Sequence, residues 1–240
     1  MNPGRNNLLT TLIDTFFPRR CPGCGVFDVW VCELCIVAAC HPQIELWNHG
    51  ANEIKKFVSL GLYHQPLLEN AMDLYKFHRA TELATLFATL LSPGISELLN
   101  TRNLDVTRDS PIILIPAPLH KHRIRERGFN QNLLLAQKIT DELVQLFDRT
   151  LVTCRNDLII RTRHTKHQTT VGAQQRATNL ENAFALRPEA KDILPNATVI
   201  LIDDIVTTGA TLNELAHTIA PTKPLTIYAA SVLRSTKSAA

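Results

Sequence analysis

The chain has 240 residues, room for one sizeable domain and a small appendage. Its 45% hydrophobic and 20% charged residues exclude a disordered or fibrous protein, and a net charge of +3 is too small by itself to mark a dedicated nucleic-acid binder. No apolar run approaches the roughly 20 residues that span a bilayer. The opening stretch has no small-residue cleavage site, so the expected location is the cytoplasm.

In chain order, Leu8, Leu9, Leu12, Ile13, Phe16 and Phe17 recur at helical spacing, which predicts a short amphipathic helix over 7–17, ended by Pro18. Such a helix docks on a neighbouring domain or lies on a membrane surface. Five of the six cysteines follow, between Cys21 and Cys40. Weak alternation over 57–63 predicts a strand, and 66–77 and 81–91 read as helices. Residues 112–115, apolar and bounded by Pro111 and Pro116, read as a buried strand. A helix is expected over 130–147, with Leu133, Leu134, Ala136, Ile139, Leu143 and Leu146 as its apolar stripe. A short strand over 158–160 precedes a polar, basic loop over 161–170 and a short helix over 172–180. The chain closes with a buried strand over 198–202, a helix over 211–219 and a strand over 225–233. Strands alternating with helices imply an α/β domain with a largely parallel sheet flanked by helices. A division near residue 50 separates an N-terminal helix and cysteine segment (1–50) from this main domain (51–235).

The strongest motif is VILIDDIVTTGAT at 199–211. Four apolar residues lead into Asp203 and Asp204, then a Thr- and Gly-rich turn, then a helix. Ligands of open α/β sheets bind beyond the carboxyl ends of the strands. A helix start offers free N–H groups and a positive dipole end to a phosphate. Gly209 permits close approach of the backbone, and Thr207, Thr208 and Thr211 add hydroxyl donors. Two carboxylates repel phosphate but suit vicinal hydroxyls, so the pattern describes a ribose 5-phosphate site. Neither GxxxxGK[ST] nor GxGxxG is present. The bland alternative is a buried strand whose two acids cap the next helix.

This segment resembles the diphosphoribosyl signature of type I phosphoribosyltransferases. The resemblance implies that Asp203 and Asp204 contact ribose hydroxyls. It implies also that Val206, Thr207, Thr208, Gly209, Ala210 and Thr211 wrap the 5-phosphate of 5-phosphoribosyl 1-diphosphate, and that magnesium accompanies the substrate.

Two basic segments precede it, PAPLHKHRIRERGFNQ at 116–131 and RTRHTKHQ at 161–168. A lone basic run is usually a solvated face, but the two together offer cationic cover for a diphosphate or for nucleic-acid phosphates. Gly128 marks a turn and Asn130 a helix cap. These blocks, with RATNLENAF at 176–184 and the phosphate motif, are similar in order to the ComF family, over about residues 8–234. The resemblance makes Arg125, Arg127, Gly128, Asn130 and Gln131 family-motif residues and places Arg161, Arg163, Thr165 and Gln168 in a hood over the site, with Arg123, Arg125, Asn130 and Gln131 expected on the diphosphate and hood side. Arg127 joins Asp203 and Asp204 as the expected catalytic group. The diphosphate segment is expected at Lys76-Phe77-His78-Arg79, which lacks the family's glycine. The family's role implies DNA uptake in natural transformation, with single-stranded DNA, competence proteins and peripheral contact with the inner membrane as partners.

Cys21-Pro-Gly-Cys24 and Cys32-Glu-Leu-Cys35 form a CxxC…CxxC pair suited to tetrahedral zinc, with Arg19 and Arg20 offsetting the charge of four thiolates. Cys40 and His41 lie near enough to substitute. A closed four-sulfur site implies a structural role. None of the nine histidines shows metal-protease spacing, and none is assigned as a general base.

Two functions fit. One is an enzyme that transfers phosphoribosyl from 5-phosphoribosyl 1-diphosphate to an acceptor. The other is a non-enzymatic module that binds a sugar phosphate or single-stranded DNA; the basic segments offer Phe129 alone as a clear base-stacking aromatic.

Overall fold

The computed structural model describes residues 19–50, 52–100, 110–148, 150–162 and 182–235. The helices expected over 7–17 and 172–180, and with them Arg163, Thr165 and Gln168, lie outside the described residues.

The described chain opens on the cysteine segment and a short helix α1 (Glu33–Ala39). An edge strand β1 (Gln43–Leu46), strand β2 (Ile54–Leu62) and helices α2 (Pro66–Phe77) and α3 (Leu83–Asn100) follow. The expected division at residue 50 therefore falls after a strand that already belongs to the sheet. Next come β3 (Ile112–Pro116), α4 (Lys121–Arg127), α5 (Gln131–Leu143), β4 (Val152–Cys154), β5 (Ile159–Arg161) and β6 (Phe184–Leu186). The chain ends with α6 (Ala190–Ile193), β7 (Thr198–Val206), α7 (Ala210–Ile219), a 3-10 turn (Ala220–Thr222) and β8 (Thr226–Arg234).

One sheet has the order β1-β2-β8-β7-β3-β4, and β5 and β6 form a separate antiparallel hairpin. Every pairing in the larger sheet is parallel except β1 with β2. Parallel strands covered on both faces read as continuous apolar runs, as IILIP in β3 does. Alternate residues divide between two cores: Leu114, Ile200, Ile202 and Tyr228 pack under α2, α3 and α5, and Ile113, Val199, Leu201 and Ala229 pack under α7.

The helix over 66–77 matches its expected bounds, with Gln65 capping the Leu68 amide and Pro66 at the first position. Helix α3 runs past its expected end at residue 91, through Pro93. Gly94 lets it press on Val58 of β2, since a β-carbon there would lie 2.7 Å from a Val58 methyl. By length and composition α3 is the one described helix that could cross a membrane, but half of it is buried. Its Phe87, Leu91, Ile95 and Leu98 belong to the core.

Candidate phosphoribosyl site

Strand β7 carries the acid pair and ends at Val206, four residues beyond its expected end. Val206 is buried, and its carbonyl accepts from the Ser235 amide at 2.7 Å. The turn 207–209 reverses the chain into α7. Thr207 is exposed, Thr208 and Thr211 are half-buried, and Gly209 is buried. Gly209 takes φ +74°, and no side chain caps α7; the Ala210 amide has only a long 3.4 Å contact to the Thr208 hydroxyl. The start of α7 thus keeps the donor-rich geometry that anions favour.

A Gly209→Ala variant would pair left-handed backbone strain with a β-carbon 2.6 Å from His49 Cβ and 2.8 Å from the Trp47 ring. It is expected to cost at least about 1 kcal/mol, read by urea denaturation, and to abolish sugar-phosphate binding, read by calorimetry.

Asp204 sits in a buried ionic cluster. Its Oδ2 lies 3.1 Å from Lys76 Nζ and 3.8 Å from an Arg127 terminal nitrogen, and accepts from Gln131 Nε2 at 2.9 Å. Asp203 accepts from Asn132 Nδ2 at 2.9 Å. Burial opposes ionisation of both acids. At Asp204 the Lys76 ammonium, the Gln131 amide and Arg127 outweigh burial and hold the carboxyl below its usual range. At Asp203 burial and the neighbouring Asp204 charge push it up to about 7. One acid is a fixed anion and the other titrates near neutrality.

The basic segment folds as the sequence indicates at its end and differs in its middle. Gly128 takes φ +82° and Asn130 Oδ1 accepts from the Asn132 and Leu133 amides. The basic stretch before them, for which no helix was expected, is α4, capped by His120. Arg127 is buried facing Asp204 and lies over the Phe77 ring at 5.4 Å. Gln131 is buried at the same carboxylate, and Asn130 is the cap. Arg125 is exposed and Arg123 half-exposed, so the turn of α4 separates them from the buried member of the series. Arg161 ends β5, with its guanidinium 5.6 Å from the Phe184 ring. Lys76 occupies the last turn of α2 rather than a loop after a strand, and reaches the acid pair from there. The loop that does follow a core strand into the site is 117–120, whose Ala117 carbonyl accepts from Asn132 Nδ2 at 3.2 Å.

Several contributors were not singled out from the sequence. Asn132 bridges Asp203 to that loop, and its only sequence signal is its place in the FNQN run. The Tyr75 hydroxyl donates to the Gln131 carbonyl at 2.7 Å. Arg79, which the sequence did place at the end of the expected diphosphate segment, takes φ +55° and lays its guanidinium against Gly128. Trp47, His49 and Asn213 meet at Gly209, more than 160 residues of chain separating the first two from the third. A cavity of about 590 Å³ opens at the carboxyl ends of β2 and β8, lined by His41, Gln43, Leu62, His64, Gln65 and Arg234 among others.

The four sulfurs of Cys21, Cys24, Cys32 and Cys35 all lie within 4.8 Å of one another, with Cys32 3.7 Å from Cys21 and 3.6 Å from Cys24. Tetrahedral corners about 2.3 Å from zinc are about 3.8 Å apart, so this is a four-cysteine cluster able to bind zinc. Gly25, at φ +77°, and the Cys21 amide bond to the Val26 carbonyl make the first knuckle. Burial acts to raise the Cys21 thiol, but the Cys32, Cys24 and Gly23 amides bring it down to about 6. The Cys32 and Cys24 thiols, together with burial, push Cys35 up to about 12. Cys40 and Cys154, outside the cluster, are both raised to about 11, chiefly by burial. Trp30 ties the knuckle to the site's flank: the Arg19 guanidinium lies over its ring at 4.9 Å, and its centroid is 6.4 Å from that of His78.

A parallel sheet with an acid pair and a Thr-Thr-Gly turn into a helix at one strand end is the architecture of a phosphoribosyltransferase-type domain. Residues 132–239 match the phosphoribosyl transferase domain family. The chain is 31% identical over 196 residues to Competence protein F of Haemophilus influenzae, covering 82% of this chain and 76% of the relative. It is 32% identical over 192 residues to DNA utilization protein YhgH of Escherichia coli K12, covering 79% and 78%. Competence protein ComFC of Bacillus subtilis is 26% identical over 195 residues, covering 78% and 70%. The chain belongs to the ComF family.

Proposed function

We propose that this protein binds 5-phosphoribosyl 1-diphosphate and acts in DNA uptake, with transfer of the phosphoribosyl group to an acceptor as the reaction the site supports. The observation that carries this reading is the uncapped start of α7 immediately beyond Asp203 and Asp204. The turn 207–209 and the first amides of α7 receive the 5-phosphate. The acid pair faces the ribose hydroxyls, with Asp203 as the acid that responds to the ligand and Asp204 as the fixed charge. Asp203 offers a hard oxygen of the kind magnesium takes, while Asp204 is already neutralised by Lys76; magnesium bound with the substrate supplies charge neutralisation on its oxygens. In transfer, the bond from C1 to the diphosphate oxygen breaks, diphosphate departs with that electron pair, and an acceptor lone pair bonds to C1. Cations on α4 and near β5 stabilise the leaving charge by position rather than by covalent chemistry. The cavity at the ends of β2 and β8 is the space proposed for the acceptor. The DNA role rests on relatives named for competence and DNA utilization. Reduced, clustered thiols agree with a cytoplasmic setting.

Calorimetry with the sugar diphosphate and magnesium tests the binding. Because Asp203 is held protonated up to about pH 7, affinity is expected to rise with pH, by up to about tenfold per unit below that value, and then to level off. Asp203→Asn should flatten this profile. Absence of binding at any pH sinks the reading, and release of diphosphate with an acceptor base separates an enzyme from a binding module.

A further inference from the structure

The segment joining β1 to β2 crosses the chain to reach the anion turn. We infer that residues 47–50 are a strap that fixes the phosphate-binding turn in its ligand-ready shape, with Trp47 and Asn213 as positioning residues for the 5-phosphate. The inference rests on the sugar-phosphate reading above.

Thr-Thr-Gly is a poor sequence for holding its own shape. Gly209 loses more conformational freedom on ordering than any other residue, and no side chain caps α7. Something else must hold the turn, or ligand binding bears the ordering entropy. The strap supplies the missing contacts. Trp47 Nε1 donates to Asn213 Oδ1 at 2.8 Å, and Asn213 Nδ2 donates to the His49 carbonyl. Asn213 sits one turn into α7, and its own amide donates to the Gly209 carbonyl at 2.9 Å. The same side chains close over Gly209, where no β-carbon fits beneath Trp47 and His49. Gly50, at φ +101°, lets the strap turn away beside Asn213.

The strap is itself anchored. The Trp47 ring meets His49 at 4.7 Å between centroids and Phe57 edge-on at 5.5 Å, and packs against the core under α7. Farther along the same connection, Glu53 pairs with His217 of α7 at 3.6 Å. The amide of Asn213 is satisfied at both ends by the strap alone, which gives it the form of a clasp rather than of general packing.

Trp47→Phe keeps an aromatic ring and removes the N–H; Asn213→Ala removes both clasp bonds. Amide exchange in the full-length, unliganded chain is expected to quicken about tenfold at residues 209–213 in each variant, with β3 and β8 unchanged. Affinity for ribose 5-phosphate is expected to fall about tenfold while that for inorganic diphosphate stays within about twofold. Unchanged exchange at 209–213, or equal losses for both ligands, overturns the strap. If the wild-type chain binds no ribose 5-phosphate, the functional reading fails, and the exchange measurement still decides whether the strap holds the turn.

Discussion

Replacing Asp204 by Asn is expected to cost about 3 kcal/mol of folding stability, several times the cost of the same change at Asp203, although the two acids are adjacent. The side chains of Lys76, Arg127 and Asp204 are only 12%, 5% and 11% exposed, so the pair is desolvated and removal of the anion strands two cations. At Asp203 an amide replaces an acid that burial already keeps protonated up to about pH 7, and the Asn132 contact survives if the new carbonyl oxygen faces it. Its expected cost is within about 1 kcal/mol. Urea denaturation of the two single variants decides it, and equal costs would sink the assignment of Asp204 as the fixed anion. Lys76→Met in the Asp204→Asn background should recover part of the loss, since it removes one stranded charge. The signs with pH are opposite for the two acids. Asp204, held low, contributes stability that is lost as pH falls through its folded value. Asp203, held high, contributes stability present below the ordinary carboxylate range and lost as pH rises through about 7. Asp203→Asn should therefore remove a near-neutral decline in stability while leaving the acid limb.

This division between the acids shows where sequence reading stops. The apolar run, acid pair and Thr-Thr-Gly turn are contiguous, so strand, turn and helix were legible from 199–211 alone. The same holds for Asn130 as a cap and Gly128 as a turn, because capping and positive φ are local demands on residue type. Which acid is held ionised depends on Lys76, 128 positions before Asp204, reaching across from the last turn of α2. No local pattern carries that contact. The family resemblance assigns Lys76 to the diphosphate side, and the fold shows it pairing with the Asp204 carboxylate. Helix α4 went unseen since its KHRIRER run has no apolar stripe; only Arg127 is buried, and it is buried as a charge partner. The strap was invisible for a similar reason: Trp47 follows a four-residue edge strand with no strong alternation, and its partner Asn213 reads as an ordinary helix position.

Loss of metal from the cysteine cluster is the second large expected effect. The segment is too small to sustain a core of its own, and its four sulfurs lie within 4.8 Å of one another, a spacing that suits zinc. With no cation, despite burial, neighbouring amides lower the Cys21 thiol while the Cys32 and Cys24 thiols raise that of Cys35, so the four differ in how readily they ionise. Zinc bound there would take all four as thiolates. Protein purified under reducing conditions should hold about one zinc per chain, and acidification or a chelator should release it. Cys32→Ser should lose the metal, because that sulfur lies within 3.7 Å of Cys21 and 3.6 Å of Cys24. Trp30, with the Arg19 guanidinium over its ring and His78 tilted nearby, reports the event: release should shift its emission to the red as the knuckle loosens, read in a Trp47→Phe background so that Trp30 is the only indole. Cys40 and Cys154 lie outside the cluster, and their replacement should leave zinc content unchanged. Metal analysis that finds no zinc in freshly reduced protein would remove the knuckle as a zinc site. Because His78 adjoins Lys76 through Phe77, the knuckle buttresses the end of α2 that delivers the ammonium to Asp204. Zinc release should accordingly lower stability at the acid pair as well as at the cysteines, and the Asp204→Asn variant should lose less on chelation than the wild type does.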